Sequence, residues 1–229
     1  MIVQKKLHFI LYLMVSCSVG FDLYATTISE VFTIFSRFIH NPQQVGEVAP
    51  ISSAAGQELA KYIRQNVGGK KYLEAGGGCG AVSIQLADAL HKDDHLDVVE
   101  IDPEMCKTLK IRLQKYPNVS VYCCSILDWH PEYLYDGIIS TLPFNSLGID
   151  FTQRAISYFK KVSGSNCVFS YVEYPIVGQV FQHFYMGDRK RNFQAVQAFM
   201  EPIRKLCMID QNIVYFNVPP VAIYHLCFN

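Results

Sequence analysis

The chain has 229 residues, of which 50% are hydrophobic and 17% are charged, so it can bury a sizeable core and is not a disordered chain. Its 20 Lys and Arg residues balance its 20 Asp and Glu residues. This balance argues against a protein that grips a long polyanion, for which a strongly basic domain is usual. None of the eight cysteines belongs to a C-x-x-C pair or to a cluster with zinc spacing, which favours reduced core cysteines and no metal site.

The first 25 residues are predicted to form a signal-like or membrane-associating segment. Lys5 and Lys6 precede an apolar run over residues 7–19, which is similar to the n- and h-regions of a secretory signal. The run is too short to span a bilayer comfortably, because a spanning helix needs about 20 apolar residues. Cleavage, anchoring and a misassigned start codon are all compatible with this pattern. Residues 26–229 are predicted to form a single domain.

Helical and strand patterns alternate through that domain. An amphipathic helix is predicted over residues 28–39, and a second one over residues 54–65 with Ser52 or Ser53 as its cap. Five strand-helix units follow, with strands predicted at residues 71–75, 97–101, 119–123, 135–141 and 167–173. Two strand-like runs close the chain, and their short connection requires antiparallel pairing. We therefore predict an α/β fold, a Rossmann-like doubly wound sheet of seven strands, mixed in direction, with a C-terminal antiparallel hairpin.

A glycine-rich turn follows the first of these strands. Gly76, Gly78 and Gly80 stand between the predicted strand 71–75 and a helical pattern. Glycines at such a turn permit positive φ and let a ligand lie against bare backbone, near the N–H groups that begin the helix. Glu100 ends the next strand, at a place where a carboxylate can accept hydrogen bonds from both hydroxyls of a ribose. The spacing predicts a nucleoside-cofactor site.

The order E-x-G-x-G-x-G at residues 74–80 resembles motif I of the class I S-adenosylmethionine-dependent methyltransferases. The resemblance implies S-adenosylmethionine as the cofactor, with Glu74 facing its amino acid end. It also implies that Asp128 accepts a hydrogen bond from the adenine amino group, and that Ile101 or Trp129 covers the adenine face. A turn cap is the alternative role for Asp128, and core packing is the favoured one for Trp129.

The fourth predicted strand leads into a loop, Ser140-Thr141-Leu142-Pro143-Phe144. In adenine-N6 and rRNA dimethylating enzymes the corresponding loop reads N-[LP]-P-[YF], and its amide and aromatic ring hold the target base. Thr141 occupies the asparagine position, and one hydroxyl cannot copy the donor and acceptor of an amide. Leu142, Pro143 and Phe144 keep the shape of the loop. The loop is therefore predicted to line an acceptor site that lacks a nucleobase reader.

Three segments resemble the bacterial phospholipid N-methyltransferases of the soluble, rRNA-dimethylase-like type: residues 35–53, 140–143 and 217–224. The first looks like that family's F-x-R-x-x-x-x-P-x-x-V-G-x-x-x-P-S-S segment and includes Arg37, Ser52 and Ser53. The second is similar to its S-G-L-P loop, and the third to its closing N-x-P-P-A-x-V-Y hairpin. The resemblance implies methyl transfer to the amine of phosphatidylethanolamine or a related lipid.

An amine of this kind must lose its proton before it can attack, since its pKa is near the value of about 10.4 for lysine. Tyr171, Glu173 and Tyr174, at the end of the fifth predicted strand, lie where they could assist, although a solvated loop acid is the favoured interpretation of Glu173. An RNA adenine-N6 (dimethyl)transferase of the same fold is the alternative function. A non-catalytic nucleoside-binding domain is the third.

A cationic cluster of Arg189, Lys190 and Arg191 lies among apolar residues near the C-terminal third of the chain. This combination suits an anionic membrane surface or a lipid phosphate, whereas a solvated helix face is the commoner explanation for three consecutive charges. Because the cofactor is made in the cytoplasm, we predict a cytoplasmic protein that is peripheral at the inner membrane. Phospholipid is the predicted partner, and RNA is not favoured.

Overall fold

A computed structural model of the chain describes residues 51–174, 187–217 and 220–228, which belong to one compact unit. Its helices are α1 Ser53–Leu59, α2 Lys61–Arg64, α3 Ala81–Ala87, α4 Pro103–Leu113, α5 Phe144–Leu147, α6 Ile149–Val162 and α7 Gly187–Cys207. Its strands are β1 Lys71–Ala75, β2 His95–Glu100, β3 Val119–Cys123, β4 Tyr135–Ser140, β5 Ser163–Glu173, β6 Met208–Val214 and β7 Val221–Cys227. A short 3-10 turn, Ile126–Asp128, follows β3.

The seven strands form one sheet in the order β3-β2-β1-β4-β5-β7-β6. Strands β1 to β5 are parallel, whereas β7 pairs antiparallel with both β5 and β6. This confirms the predicted α/β fold with a seven-stranded mixed sheet and a C-terminal antiparallel hairpin. The order of the strands reverses between β1 and β4, and ligands of open α/β sheets bind at the carboxyl ends of the strands at such a point.

Helices cover both faces of the sheet, which is why the central strands are buried almost continuously. On one face α6 and α7 pack through an aromatic and aliphatic cluster that includes Phe159, Phe169 and Met200. On the other face α1, α3 and α4 pack through a second cluster that includes Leu86 and Leu109. The doubly wound arrangement follows from these two separate apolar layers.

Element boundaries differ from the predicted ones where local sequence gives no clear stop. The helix predicted over residues 54–65 is divided at Ala60 into α1 and α2, and Ser52 is its cap, since the Ser52 hydroxyl accepts a hydrogen bond from the Ala55 N–H at 3.3 Å. Strand β5 begins at Ser163, four residues earlier than predicted. Its first residues are polar and pair only with the first residue of β4. No apolar pattern in the sequence therefore marks the start of this strand.

Two further expectations concern the cysteines and the N-terminal segment. Cys106 and Cys123 pair as a disulfide, so the expectation of reduced cysteines is wrong for these two. The signal-like segment, the helix predicted over residues 28–39 and Arg37 lie outside the described residues, as does the predicted boundary between residues 25 and 26. Within the part of the chain that the structure describes, no helix is long and apolar enough to cross a membrane.

Candidate active site

The glycine turn lies at the carboxyl end of β1, where the strand order reverses. Gly76, Gly78 and Gly80 all have positive φ, with values of 85°, 52° and 88°. A Cβ on Gly76 would lie 2.9 Å from Leu142 Cδ2, so the acceptor loop already fills that side of the turn. A Cβ on Gly78 would meet nothing within 4 Å, so bare backbone faces open space there. The turn can therefore hold a ligand on its Gly78 side.

Glu100 is held beside this turn by three backbone amides. Its Oε2 accepts from the Gly78 N–H at 2.8 Å, and its Oε1 accepts from the N–H groups of Ile101 at 2.8 Å and Asp102 at 2.9 Å. A carboxylate offers about four lone-pair sites, so one remains for a ligand hydroxyl. The sequence predicted the ribose role of Glu100, but its contact with the glycine turn depends on the parallel register of β1 and β2.

Glu74 is completely buried next to the turn, and neither of its carboxylate oxygens has a hydrogen-bond partner. Burial raises the pKa of Glu74 to about 7, and the nearby Glu100 charge adds to the rise. An unpartnered buried carboxylate is costly, which is a feature that functional sites retain. Glu74 and the open face at Gly78 fit a cofactor that carries an ammonium group and a ribose.

Two of the residues proposed for the adenine, Ile101 and Asp128, are exposed. Ile101 is 69% exposed at the end of β2, adjacent to Glu100, so its side chain is open to a ligand. Asp128 is exposed at the end of the 3-10 turn, whose cap is Ser125 rather than Asp128.

Trp129 lies in the packed layer under that turn. Its ring packs on Tyr122 with centroids 4.0 Å apart, and its indole N–H donates to the Tyr135 hydroxyl at 2.9 Å. The Tyr122 ring covers one face of the indole and the hydrogen bond to Tyr135 fixes its edge, which favours the packing role over adenine stacking.

The acceptor loop is joined to the glycine turn by Thr141. The Thr141 hydroxyl donates a hydrogen bond to the carbonyl oxygen of Gly76, and the Thr141 N–H donates to the carbonyl of Ala75 at 3.1 Å. Phe144 is buried at the start of α5, with Leu142 and Pro143 half-buried before it. The only proton of the Thr141 hydroxyl is therefore used in the contact between the loop and the glycine turn.

Tyr171 lies behind the loop rather than at an open surface. It is fully buried, and its ring contacts Phe144 with centroids 6.1 Å apart. Its hydroxyl accepts a hydrogen bond from Arg204 Nη1 at 3.2 Å. Burial raises the pKa of Tyr171 far above its ordinary value, so the phenol stays protonated. In this environment Tyr171 shapes the acceptor site through Phe144.

Arg204, on α7, is the functional residue that sequence reasoning missed. Its Nη1 donates to Glu173 Oε1 at 2.8 Å, and its guanidinium stacks over the Tyr224 ring. Glu173 is only 9% exposed, so the interpretation of a solvated loop acid is wrong. Burial raises the pKa of Glu173 and the Arg204 charge opposes the rise. No sequence signal links an arginine to an acid that is 31 positions away.

A chain of hydrogen bonds continues from Arg204 to the acceptor loop. Arg204 Nη2 donates to Gln197 Oε1 at 3.0 Å, and Gln197 Nε2 donates to Asn145 Oδ1 at 3.0 Å. Asn145 directly follows Phe144, so α7 holds the far end of the loop while Thr141 holds the near end. The loop is thus fixed on both sides.

The residues proposed for substrate or membrane contact belong to other segments of the sequence than those that form this site. Ser52 caps α1, and its N–H donates to Asn217 Oδ1 at 2.7 Å, while Ser53 is exposed. Lys190 and Arg191 are exposed near the start of α7, and Arg191 forms an ion pair with Asp188. The structure brings the glycine turn, Glu100 and the acceptor loop together, and it leaves Lys190 and Arg191 on the surface, while the side chain of Arg189 lies outside what the structure describes.

The family model for ribosomal RNA adenine dimethylase matches residues 36–156, which is slightly more than half of the chain. Among curated relatives, the tRNA1(Val) (adenine(37)-N6)-methyltransferase of Enterobacter sp. (strain 638) is 32% identical over 88 residues, which are 36% of each chain. The ornithine lipid N-methyltransferase of Singulisphaera acidiphila is 24% identical over 202 residues, which are 85% of this chain and 94% of the relative. The chain thus spans about a third of the first relative's length and nearly all of the second's.

The fold is similar to that of solved methyltransferases. The O-methyltransferase TomG from Streptomyces achromogenes, solved in complex with SAM, superposes with a TM-score of 0.59 over 94% of this chain and 95% of its own. The two sequences are 17% identical, so this likeness establishes the fold alone.

Proposed function

The chain belongs to the ribosomal RNA adenine dimethylase family and is an S-adenosylmethionine-dependent methyltransferase, and on this basis we propose that it methylates the amine of a phospholipid head group at a membrane surface. Phosphatidylethanolamine and the amine of ornithine lipids represent the substrate class. We further propose that the protein works in the cytoplasm as a peripheral protein of the inner membrane, with residues 26–229 as one methyltransferase domain.

The hydrogen bond from the Thr141 hydroxyl to the glycine turn is the observation that carries this proposal. At the position where the N-[LP]-P-[YF] pattern has an asparagine, the chain has a hydroxyl that already donates to the Gly76 carbonyl. The asparagine of that pattern offers an acceptor and a donor in one plane, whereas this hydroxyl keeps only its acceptor lone pairs because its one proton is already used. A tetrahedral alkyl amine needs less directional recognition. The loop therefore fits an aliphatic amine better than an adenine.

The share of this chain that aligns with each curated relative also supports a lipid substrate. The relative that acts on ornithine lipids aligns along 85% of this chain, whereas the relative that acts on tRNA aligns along 36%. The balanced charge of the chain also agrees with a lipid substrate, because RNA-binding domains carry an excess of basic residues.

The proposed cofactor site consists of residues that the structure brings to one edge of the sheet. Backbone at Gly76, Gly78 and Gly80 lies against the cofactor, Glu100 accepts from its ribose, and Glu74 faces its ammonium. Ile101 covers the adenine, and Asp128 lies at the end of the neighbouring turn. The bound cofactor supplies an electrophilic methyl group.

The proposed acceptor site is the loop from Thr141 to Phe144, with Tyr171 behind it. Rate in such a transfer depends mainly on alignment, because a well-oriented pair avoids most of the entropic cost of meeting. The loop is fixed at one end by Thr141 and at the other by Asn145. Glu173 is engaged with Arg204, so the chain uses this acid to hold α7 rather than to accept the proton of the amine.

Adenine-N6 methylation of RNA is the second candidate function, favoured by the family model and by the tRNA-modifying relative.

One labelling experiment distinguishes the two functions. The full chain is incubated with labelled S-adenosylmethionine and either vesicles that contain phosphatidylethanolamine and ornithine lipid or unmodified rRNA and tRNA transcripts. We expect label in the lipid fraction and none with vesicles of phosphatidylglycerol, which has no amine. Label that appears only in RNA would overturn the lipid proposal in favour of the second candidate.

A further inference from the structure

A second group of polar side chains lies under α1, away from the cofactor edge. Glu58 on α1, Asp210 on β6 and His225 on β7 each offer one ligand atom, and these atoms lie within 4.8 Å of one another. The sheet register aligns Asp210 with His225 and, further along the same row, with Ser170, Ile139 and Glu74. His225 is three strands from Glu74, or about 14 Å at the usual strand spacing, so this group is separate from the cofactor site.

His225 points an unsatisfied nitrogen into this group. The residue is 0% exposed, and its Nε2 has no hydrogen-bond partner. Nε2 lies 3.6 Å from Glu58 Oε1, which is also buried and without a hydrogen-bond partner. Two neighbouring buried polar atoms without partners are unfavourable, because each has lost its water. Their separation matches that of two ligands around one metal ion with bonds of about 2.0–2.2 Å.

The other ring nitrogen of His225 is held as in a metal-bound histidine. Nδ1 lies 2.7 Å from the Ser170 hydroxyl. When Nδ1 carries the ring proton and donates it to Ser170, Nε2 keeps a lone pair that points at Glu58. Metal-binding histidines commonly have such an outer partner, which fixes the ring and its tautomer.

Lys61 provides the positive charge in this group. Its ammonium forms an ion pair with Asp210 and lies 3.5 Å from Glu58 Oε1. One ammonium faces two carboxylates here, so it leaves one negative charge uncompensated and leaves His225 Nε2 unsatisfied. The Lys61 side chain is 34% exposed, so it can turn into solvent without disturbing the core.

We propose that Glu58, Asp210 and His225 form a divalent-cation site, for which Zn²⁺ is the best fit, and that Lys61 occupies the place of the cation in its absence. One imidazole and two carboxylates are ordinary Zn²⁺ ligands, and a fourth position stays open to water. The cation ties α1 to the β6–β7 hairpin. That contact is also made by the Ser52 N–H and Asn217 at 2.7 Å.

The test uses the full chain, treated with a chelator and then titrated with ZnCl₂ in a calorimeter, with thermal unfolding as a second readout. We expect one Zn²⁺ per chain and a higher Tm when it is bound. Asp210→Asn, at a half-exposed position, should weaken Zn²⁺ binding by roughly tenfold or more, since even the loss of an outer-shell partner has an effect of that size. Lys61→Met removes the competing ammonium and should tighten Zn²⁺ binding.

Glu104→Gln is the matched control, because Glu104 is an exposed acid that also pairs with a lysine. It should leave Zn²⁺ affinity unchanged. Absence of stoichiometric binding in both the unmodified chain and Lys61→Met overturns the proposal. Binding that Asp210→Asn does not weaken also overturns it, since the ion would then be held by other groups such as the cysteines. These outcomes do not depend on the proposed lipid activity.

Discussion

Arg204 Nη1 lies 2.8 Å from Glu173 Oε1, in an ion pair that joins α7 to the end of β5. Both side chains are at most 14% exposed, so each charge depends on the other for compensation. Removal of one partner from a buried pair costs about 3–5 kcal/mol, because it leaves an uncompensated charge. We expect Arg204→Met to lower the free energy of unfolding by that amount in denaturant titration.

The same pair allows a sharper comparison. Arg204→Met combined with Glu173→Gln removes both charges and should recover part of the lost stability, as replacement of a whole buried pair is often nearly neutral. Lys205→Met is the control, since Lys205 pairs with Glu201 on the surface of the same helix and its loss should cost about 1 kcal/mol or less. Equal costs for Arg204→Met and Lys205→Met would contradict the role of the pair.

The sequence was sufficient to predict the elements at the carboxyl end of β1 because its signals there are local. A buried strand, glycines with positive φ and a helix lie within residues 71–87, and the carboxylate of Glu100 ends the next strand. Strand pairing could be inferred as well, because parallel strands need crossover helices and the closing hairpin does not. The predicted sheet is accordingly confirmed.

The sequence did not predict the contacts that join distant elements. Arg204 meets Glu173 and Tyr171 only because α7 returns across the sheet to the end of β5. The disulfide between Cys106 and Cys123 likewise depends on the packing of α4 beside β3. The unsatisfied Nε2 of His225 is visible only once three elements are in place. Such contacts have large sequence separations and no periodic pattern.

Glu100 should be essential for cofactor affinity. Its three backbone donors require acceptors on both carboxylate oxygens, so Glu100→Gln places an amide donor against at least one N–H group. Hydrogen bonds to a charged group contribute about 1.5–3 kcal/mol each. We expect Glu100→Ala to weaken S-adenosylhomocysteine binding by about 100-fold in calorimetry, and Glu100→Gln to weaken it as well.

Asp102→Asn serves as the control for this measurement, because Asp102 caps α4 and asparagine is an equally good cap. Its affinity should match that of the unmodified chain. Unchanged affinity in Glu100→Ala would mean that the ribose lies elsewhere.

Glu74 should make stability depend on pH in the cofactor-free protein. Its pKa rises from 4.5 to about 7 on folding, so the folded state holds a proton that the unfolded state has released between these values. The free energy of unfolding should therefore be highest below about pH 4.5 with respect to this group and fall as the pH rises to about 7, by roughly 2–4 kcal/mol.

Glu74→Gln removes this titration. Denaturant titration from acidic to neutral pH should show a flatter dependence in the variant, with higher stability than the unmodified chain at neutral pH. Glu104→Gln, at an exposed position, should keep the original slope. If Glu74→Gln leaves the slope unchanged, Glu74 is not protonated in the folded state at acidic pH.

Thr141 should affect the reaction more than the fold. Thr141→Val keeps the shape of the side chain and removes the hydrogen bond to the Gly76 carbonyl, which contributes about 1 kcal/mol. We expect kcat/KM to fall by about fivefold, and Tm to fall by only about 2–4 °C, the shift that 1 kcal/mol gives in a chain of this size. Thr108→Val, which removes a hydroxyl bonded to a carbonyl on an exposed helix face, should leave kcat/KM as it was. A fall of the same size in both variants would remove the special role of Thr141.

The cationic cluster should contribute to membrane binding if the lipid proposal holds. Lys190 and Arg191 are exposed on α7, and each basic residue near an anionic surface contributes about 1 kcal/mol. We expect Lys190→Gln with Arg191→Gln to weaken pelleting with phosphatidylglycerol vesicles by about 30-fold at low salt and far less at high salt. Asp188→Asn should strengthen pelleting, because it frees Arg191 from its ion pair. Lys107→Gln with Lys110→Gln removes two equally exposed charges from α4 and should have little effect, so an equal loss in this control would indicate a response to net charge rather than to the cluster.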